Sequence, residues 1–556
     1  MGLFRQLNLG AVTSALDDSK FIPLDLLDKL ITLETITQSL RAGSKLVAYF
    51  WSDNLPRQIH QHARKVFTVL VLLGKEPTIQ DLFADGLTDQ DLPLFRKGDT
   101  DILLSKRTGR EFTSFQSWEP ARVQDFIDKQ WLVQAPVMDE VGLEFKLEKV
   151  CPLPFLPGNE GKVRGGNTGV FVHQVRFHSA HCSEAFAAAA KGLVAVKEVQ
   201  SERTSTKERD NLTLMKQFPH EHLIKPLAII ERDSIDEKES VSYFIFPWAH
   251  GGDLRQFWKR YNNDSQTALS PHLLLWALRQ MLGISDGMKQ MHVNGIRHGD
   301  IKPQNILHFI DPGDPDNPDP SKLGTLVLAD VGVSKHHKDA TNVRHWATKT
   351  NEVTISYEAP EAEYDQLHKK PRSRRYDMWS LGCMYLEFSV WLLYGFQAVE
   401  VFRSRRTSSK DDPTTAPGNF FTQRSPNSVT IHSKVTRALR HLRKDPRCGP
   451  ETALGDLTKL IADRLLRIDP MDRAEAPELQ QAVQAIFDRA EKDPEYLGQQ
   501  LPSPPEIPPF FLRSTKNTSS TGQSRASFSS DRTDLSSRSS LMSHLSLKEE
   551  NEDAVD

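Results

Sequence analysis

Cysteine is scarce, with four in 556 residues (Cys151, Cys182, Cys383 and Cys448) and no C-x-x-C pair among them. That excludes a disulfide scaffold and a zinc knuckle, and it fits a reducing, intracellular compartment. An excess of one charge sign is also missing: the net charge is -3 with 26% charged residues, and the signs are interspersed. No basic field draws in nucleic acid, so none is expected as a partner. Long apolar runs are lacking too, since Val66 to Leu73 is short and the region around Trp391 reads as buried helix. No membrane span is expected. The opening Met1-Gly2 carries Gln6 where lipidation prefers a small hydroxyl residue, and no secretory pattern follows. The basic run from Lys369 to Arg375 reads as a solvated loop in preference to an import signal, which favours the cytoplasm over the nucleus.

What is present divides into three stretches. Residues 1–148 read as a mainly helical region. Leu24, Leu27, Leu30, Ile31 and Ile36 recur near helical spacing, and Val66, Leu70 and Leu73 fall on one side of a helix over Gln58 to Leu73. Thr78 and Asp81 form a weak capping box, and Trp118, Phe126 and Trp131 form an aromatic core cluster. Residues 149–494 begin with short extended runs, including Leu193 to Val199 and Tyr243 to Phe246 with a helix between, and turn helical from Pro271. Asp/Pro-rich 311–322 and Ser/Thr/Pro/Arg-rich 403–427 read as inserted loops. Residues 495–556 read as a disordered tail: composition turns Pro-rich and then Ser-rich after Leu501, and Arg513 to Asp556 lack sustained apolar periodicity.

The middle stretch carries the chemistry. In His298-Gly299-Asp300-Ile301-Lys302-Pro303-Gln304-Asn305, a proton acceptor and a metal ligand stand at D-x-x-x-x-N spacing. Val194-Ala195-Val196-Lys197 precedes it, while Asp330-Val331-Gly332 and Ala359-Pro360-Glu361 follow. Lys197 lies in an apolar run, where an isolated ammonium is expensive to desolvate, so facing inward requires anionic partners. An edge-strand lysine reaching to water is the ordinary alternative, which the ordered set of motifs outweighs. Asn305 after Pro303, or Asp330 before a small residue, would singly pass for turn formers.

In that order the motifs resemble a eukaryotic-type protein kinase. The resemblance implies an α+β bilobal fold, with a small antiparallel-sheet N-lobe and a helical C-lobe, and ATP bound between the lobes. It makes Asp300 the base for the substrate hydroxyl and gives Lys302 the charge on the transferred group. Lys197 and Glu208 become the phosphate-positioning pair, and Asn305 and Asp330 the ligands for Mg2+. It places Gly166 and Gly169 in the phosphate loop and Ala195 beside the adenine. Phe246 becomes the gatekeeper, Pro247 and Ala249 the backbone hinge contacts, and Asp253 a partner for ribose or a basic substrate residue. Trp248 is left open between hinge contact and core packing. Asp377 should hold the catalytic loop, and Glu361 should pair with Arg473. The Lys302-Pro303-Gln304-Asn305 continuation, with Thr354 near the base, resembles serine/threonine kinases, so protein serines and threonines are the implied acceptors.

A narrower likeness lies in Gln130 to Pro136, Leu153 to Phe155, Phe246 to Ala249 and His298-Gly299-Asp300, which together are similar to filamentous-fungal kinase-domain proteins with a helical preamble. That preamble, with no catalytic cluster of its own, is left as a packing module or a surface for a protein partner. Three positions depart from the pattern. Gly299 replaces the arginine that ordinarily receives an activation-loop phosphate, Val331 replaces a phenylalanine, and Arg164 replaces the first phosphate-loop glycine. A pseudokinase scaffold that binds without efficient transfer is the alternative these departures keep in view.

Overall fold

Residues with branched and aromatic side chains alternate through Val194–Val199 and Val241–Pro247, and both segments form strands whose two faces are buried in different cores. The computed structural model describes residues 2–43, 54–159, 170–233, 240–261, 269–310, 323–331, 356–362, 373–407, 418–425, 428–498 and 506–513. The central sheet has six strands: β1 (Leu143–Leu147), β2 (Phe155–Pro157), β3 (Val170–Phe177), β4 (Val194–Val199), β5 (Ala228–Arg232) and β6 (Val241–Pro247). Their order is β1-β5-β6-β4-β3-β2; β1 runs parallel to β5, and the remaining pairs are antiparallel. The α+β bilobal architecture expected from the sequence is present: this sheet with the helix Glu202–Met215, then a largely helical half beginning at Pro271–Val293.

One face of the sheet packs Val194, Val196, Ala228, Ile230 and Ile245 against the helix Glu184–Ala190. The other contributes Val199 and Phe244 to a core continuous with the helical half. At the centre of that half lies Arg375–Thr407, broken at Gly395, where φ 81° and ψ 175° leave the helical region.

The N-terminal region has its own core, running from Leu7 to Val133, around the helix Arg64–Leu73. Its periodicity misled in three places. Val66 to Leu72 are buried all round, not on one side, and the helix starts afresh at Arg64 because the Asp89 carboxylate accepts from the Lys65 and Val66 N–H groups, both at 3.0 Å. Thr78 caps nothing: its backbone is already helical, and its hydroxyl donates to the Lys75 carbonyl at 2.8 Å. Trp131 leaves the Trp118–Phe126 cluster and packs on Phe95 with ring centroids 6.1 Å apart.

The expected break at residue 149 falls between two strands of one sheet, since β1 pairs with β5. Further seams join the region to the sheet: the Ala15 N–H donates to the Phe155 carbonyl at 2.9 Å, and buried Arg232 pairs with Asp17. Two loop assignments need correction. Arg403 to Thr407 continue a helix and Phe421–Ser425 pairs with Ser428–Ile431, because Phe402, Phe420 and Phe421 have apolar surface to bury; residues 408–417 lie outside the described residues. The tail begins later than 495. Tyr496, Leu497, Phe510 and Phe511 are buried, and the packed body runs from Met1 to Leu512. Loop 311–322 and the rest of the tail lie outside the described residues.

Candidate active site

Strand alternation turns Ala195, Lys197 and Val199 to the face of β4 opposite Val194 and Val196. Lys197 there donates to Glu208 Oε1 at 2.8 Å, from the helix Glu202–Met215, and also pairs with Asp330 Oδ1. The anionic partners that the sequence demanded are therefore in place. Burial works against the Lys197 charge, but Asp330 and Glu208 more than offset it and raise its pKa. Burial also opposes ionisation of Asp330, yet the Lys197 ammonium holds that carboxyl down at about 2. Asp330 has φ 69°, a left-handed conformation that costs a non-glycine residue about 1–2 kcal/mol, and such strain persists where surroundings impose it.

The strands Ile306–Phe309 and Thr325–Leu328 form an antiparallel pair that carries Asn305 and Asp330 at neighbouring ends. The Ala329 N–H donates to the Asn305 carbonyl at 2.9 Å. Asn305 Nδ2 donates to the Asp300 carbonyl at 2.7 Å and to Asp300 Oδ2 at 2.9 Å, while Lys302 Nζ donates to the same Oδ2 at 2.7 Å. Both contacts fall on one oxygen of Asp300.

The loop rests on Asp377. Its Oδ2 accepts from the His298 N–H at 2.9 Å and its Oδ1 from the Gly299 N–H at 2.8 Å, as expected. Burial alone would raise the Asp377 pKa, but the hydrogen bond from His292 at 2.9 Å and the neighbouring histidines lower it. His298 is a support that the sequence did not single out. Its Nε2 bonds the Ala329 carbonyl at 3.0 Å, which makes Nε2 the protonated nitrogen, and its Nδ1 accepts from the Asp300 N–H at 3.3 Å. One neutral ring thus spans the proton-acceptor loop and the strand before Asp330, and burial keeps it neutral by lowering its pKa. Gly299, at φ 80°, occupies a left-handed position that glycine takes without strain.

The Trp248 N–H donates to the Leu193 carbonyl at 3.2 Å, which makes Pro247 opposite Val194 a non-hydrogen-bonded pair. The missing N–H of Pro247 therefore costs that ladder nothing, and its carbonyl turns away from β4. Trp248 is partly exposed and lies outside the apolar clusters, so it is not core. Ala249 begins a turn in which its carbonyl accepts from the Gly252 N–H at 2.9 Å. Asp253 Oδ1 accepts from the Gln256 N–H at 2.8 Å and caps the helix Leu254–Tyr261, and burial raises its pKa. Gly166 and Gly169 lie outside the described residues, between paired β2 and β3.

The donor set suits a hard divalent cation. The Asn305 amide nitrogen is committed to Asp300, so its oxygen turns the other way, and Asp330 has a second carboxylate oxygen beyond the one on Lys197. Both are hard oxygen ligands, and magnesium ordinarily takes one or two protein oxygens with phosphate and water completing its shell.

Residues 178–483, more than half of the chain, match the protein kinase domain. The chain belongs to the protein kinase domain family. Human serine/threonine-protein kinase 16 is 31% identical over 187 residues, 34% of this chain and 56% of that protein. The serine/threonine-protein kinase SSN3 of Eremothecium gossypii is 25% identical over 234 residues, 40% of this chain and 36% of its own. The mouse serine/threonine-protein kinase 16 is 29% identical over 167 residues. The chain spans about half or less of the length of these curated relatives. Within this kinase domain the expected Glu361–Arg473 pair is bidentate, at 2.7 and 2.8 Å.

Proposed function

We propose that this kinase domain catalyses ATP- and Mg2+-dependent phosphoryl transfer to serine and threonine hydroxyls of proteins. The observation that carries this reading is the Lys197–Glu208–Asp330 triad standing beside an Asp300 whose Oδ2 is tied to Lys302 and Asn305. With Oδ2 so occupied, Oδ1 of Asp300 is the atom that accepts the proton of the attacking hydroxyl. Lys302, 2.7 Å from Asp300, places its ammonium where charge gathers on the transferred group. Lys197, fixed by Glu208, orients the phosphates of ATP. Asp330 and Asn305 would hold magnesium, which would supply positive charge against the phosphates of ATP. Serine and threonine are favoured as acceptors by the Lys302 to Asn305 pattern and by the names of the relatives.

Magnesium-dependent transfer from labelled ATP to dephosphorylated casein tests this. Asp300→Asn should lower kcat by about 100-fold or more with little change in ATP affinity. ATP binding without transfer in the parent protein would overturn the reading. Because Gly299 leaves no arginine to receive an activation-loop phosphate, turnover is expected without phosphorylation of Thr348 or Thr350. Complete loss on phosphatase treatment, restored by phosphate at either residue, would contradict that.

A further inference from the structure

The helix Glu202–Met215 presents two stripes. Glu208, Leu212 and Met215, spaced i, i+4 and i+7, turn inward: Glu208 meets Lys197, while Leu212 and Met215 enter the core shared with the helical half. Arg209, Thr213 and Lys216 repeat that spacing one residue on, about 100° round the helix, and meet two carboxylates from the sheet. Arg209 Nη1 lies 3.0 Å from Glu231 Oε2 on β5. On β1, Glu144 Oε1 accepts from Thr213 Oγ1 at 3.3 Å and from Lys216 Nζ at 2.8 Å, and Lys216 also donates to the Gly142 carbonyl at 2.9 Å.

Glu208 does little to hold that rotation by itself. Burial pushes its pKa up, against the charge it needs beside Lys197, and its second oxygen has no hydrogen-bond partner. Turning the helix by one residue position would carry Glu208 off Lys197. The two sheet carboxylates oppose that turn, and Glu144 comes from outside the kinase match, which begins at residue 178. β1 is itself firmly placed: it pairs with β5 from Leu143 opposite Ala228 to Leu147 opposite Arg232, and its Phe145 and Leu147 pack on the far face of the sheet. Strand alternation then sends Glu144 to the helix side, where the Lys216 hydrogen bond holds its carboxyl below the usual range. These part-exposed pairs add little to global stability, so what they supply is orientation.

We propose that Glu144 is a positioning residue for phosphoryl transfer: by gripping Thr213 and Lys216 it fixes the rotation of the helix Glu202–Met215 that seats Glu208 on Lys197. The strand that closes the N-terminal region thus sets the nucleotide-side geometry of the kinase domain from within the same chain. The proposal rests on the kinase reading above and goes beyond it by giving the segment before residue 178 a part in turnover.

The test uses the full chain, with dephosphorylated casein as acceptor. Glu144→Lys sets like charges against Lys216 and Arg209; kcat/KM for ATP should fall about fivefold or more, with casein KM within about twofold and the melting temperature within about 2 °C of the parent. Glu144→Gln, which keeps the shape and drops the charge, should lose about threefold. The exchange Glu144→Lys/Lys216→Glu restores opposite charges and should recover kcat/KM to within about twofold of the parent. In a Glu208→Ala background Glu144→Lys should cost nothing further, because the contact it protects is already gone. If Glu144→Lys fails to fold, Glu144→Gln takes its place in that cycle. Losses that multiply in the double variant would overturn the proposal, as would an exchange that recovers nothing, or a parent-like kcat/KM, within about 1.5-fold, in both single variants. A parent protein that transfers nothing to casein sinks the kinase reading and this proposal with it, whereas an active parent with unaffected Glu144 variants sinks this proposal alone.

Discussion

At the scale of single residues, the site depends on one ammonium serving two carboxylates. Lys197→Met removes the only cation in that triad and leaves buried Glu208 and part-exposed Asp330 facing each other. Asp330→Ala leaves Lys197 paired with Glu208 but removes an oxygen ligand. The two should therefore fail differently. Both should lower phosphotransfer by about two to four orders of magnitude, but only Lys197→Met should also lower thermal stability markedly. Equilibrium unfolding beside single-turnover transfer separates the two effects, and substantial activity in folded Asp330→Ala protein would remove Asp330 from the site. These residues were legible from sequence because Asp300, Lys302 and Asn305 sit within one short loop and Lys197 sits in an apolar strand. The bridging role of His298 was not, because only the fold brings its ring against the Ala329 carbonyl.

At the scale of elements, the joints between segments escaped the sequence for the same reason. The helix Leu24–Leu30 starts without a local cap; its first N–H donates at 3.3 Å to Nε2 of His181, which lies beyond β3. His181 Nδ1 then donates to the Pro136 carbonyl at 3.0 Å, so both ring nitrogens are engaged only in the neutral form. Burial lowers the His181 pKa to about 4, with the Pro136 bond opposing the shift and the His178 and Lys65 charges adding to it. The folded value lies below the unfolded 6.5, so the unfolded chain takes up a proton that the folded one refuses. Stability from this joint is complete above pH 6.5 and declines as pH falls toward 4, by at most about 3 kcal/mol. Urea unfolding at pH 7 and pH 5 should show a larger drop for the parent than for His181→Gln, which keeps a polar side chain but cannot titrate. Equal drops would mean that His181 takes up its proton equally in the folded and unfolded states. Helix periodicity did reveal helices between Leu24 and Ile36 and between Gln58 and Leu73. It failed at their ends, where a remote carboxylate or imidazole decides, as Asp89 does for Arg64–Leu73.

At the scale of the whole molecule, the question is where the packed body ends, and composition alone placed that too early. A Pro-rich stretch reads as tail, yet Phe511 stacks on Tyr394 with centroids 4.8 Å apart, and Phe510 stacks on His441 at 5.3 Å. Arg405 reaches across to the Leu512 carbonyl at 3.2 Å, while Leu512 itself is half-exposed. Two truncations on either side of this anchor should therefore behave oppositely. A chain ending at Leu512 loses no described core contact and should keep its melting temperature within a few degrees, together with its turnover. A chain ending at Leu501 uncovers Tyr394, Phe402 and His441 and forfeits two buried phenylalanines, each worth about 3–5 kcal/mol when removed from a core. That is comparable with the whole stability margin of a typical domain, so its melting temperature should fall by about 10 °C or more, or soluble protein should be lost. Should the two truncated chains melt together, the phenylalanine pair contributes nothing to the fold, and the body ends before residue 502. If the Leu512 chain also unfolds, residues beyond 513 carry part of the stability and the boundary lies further on.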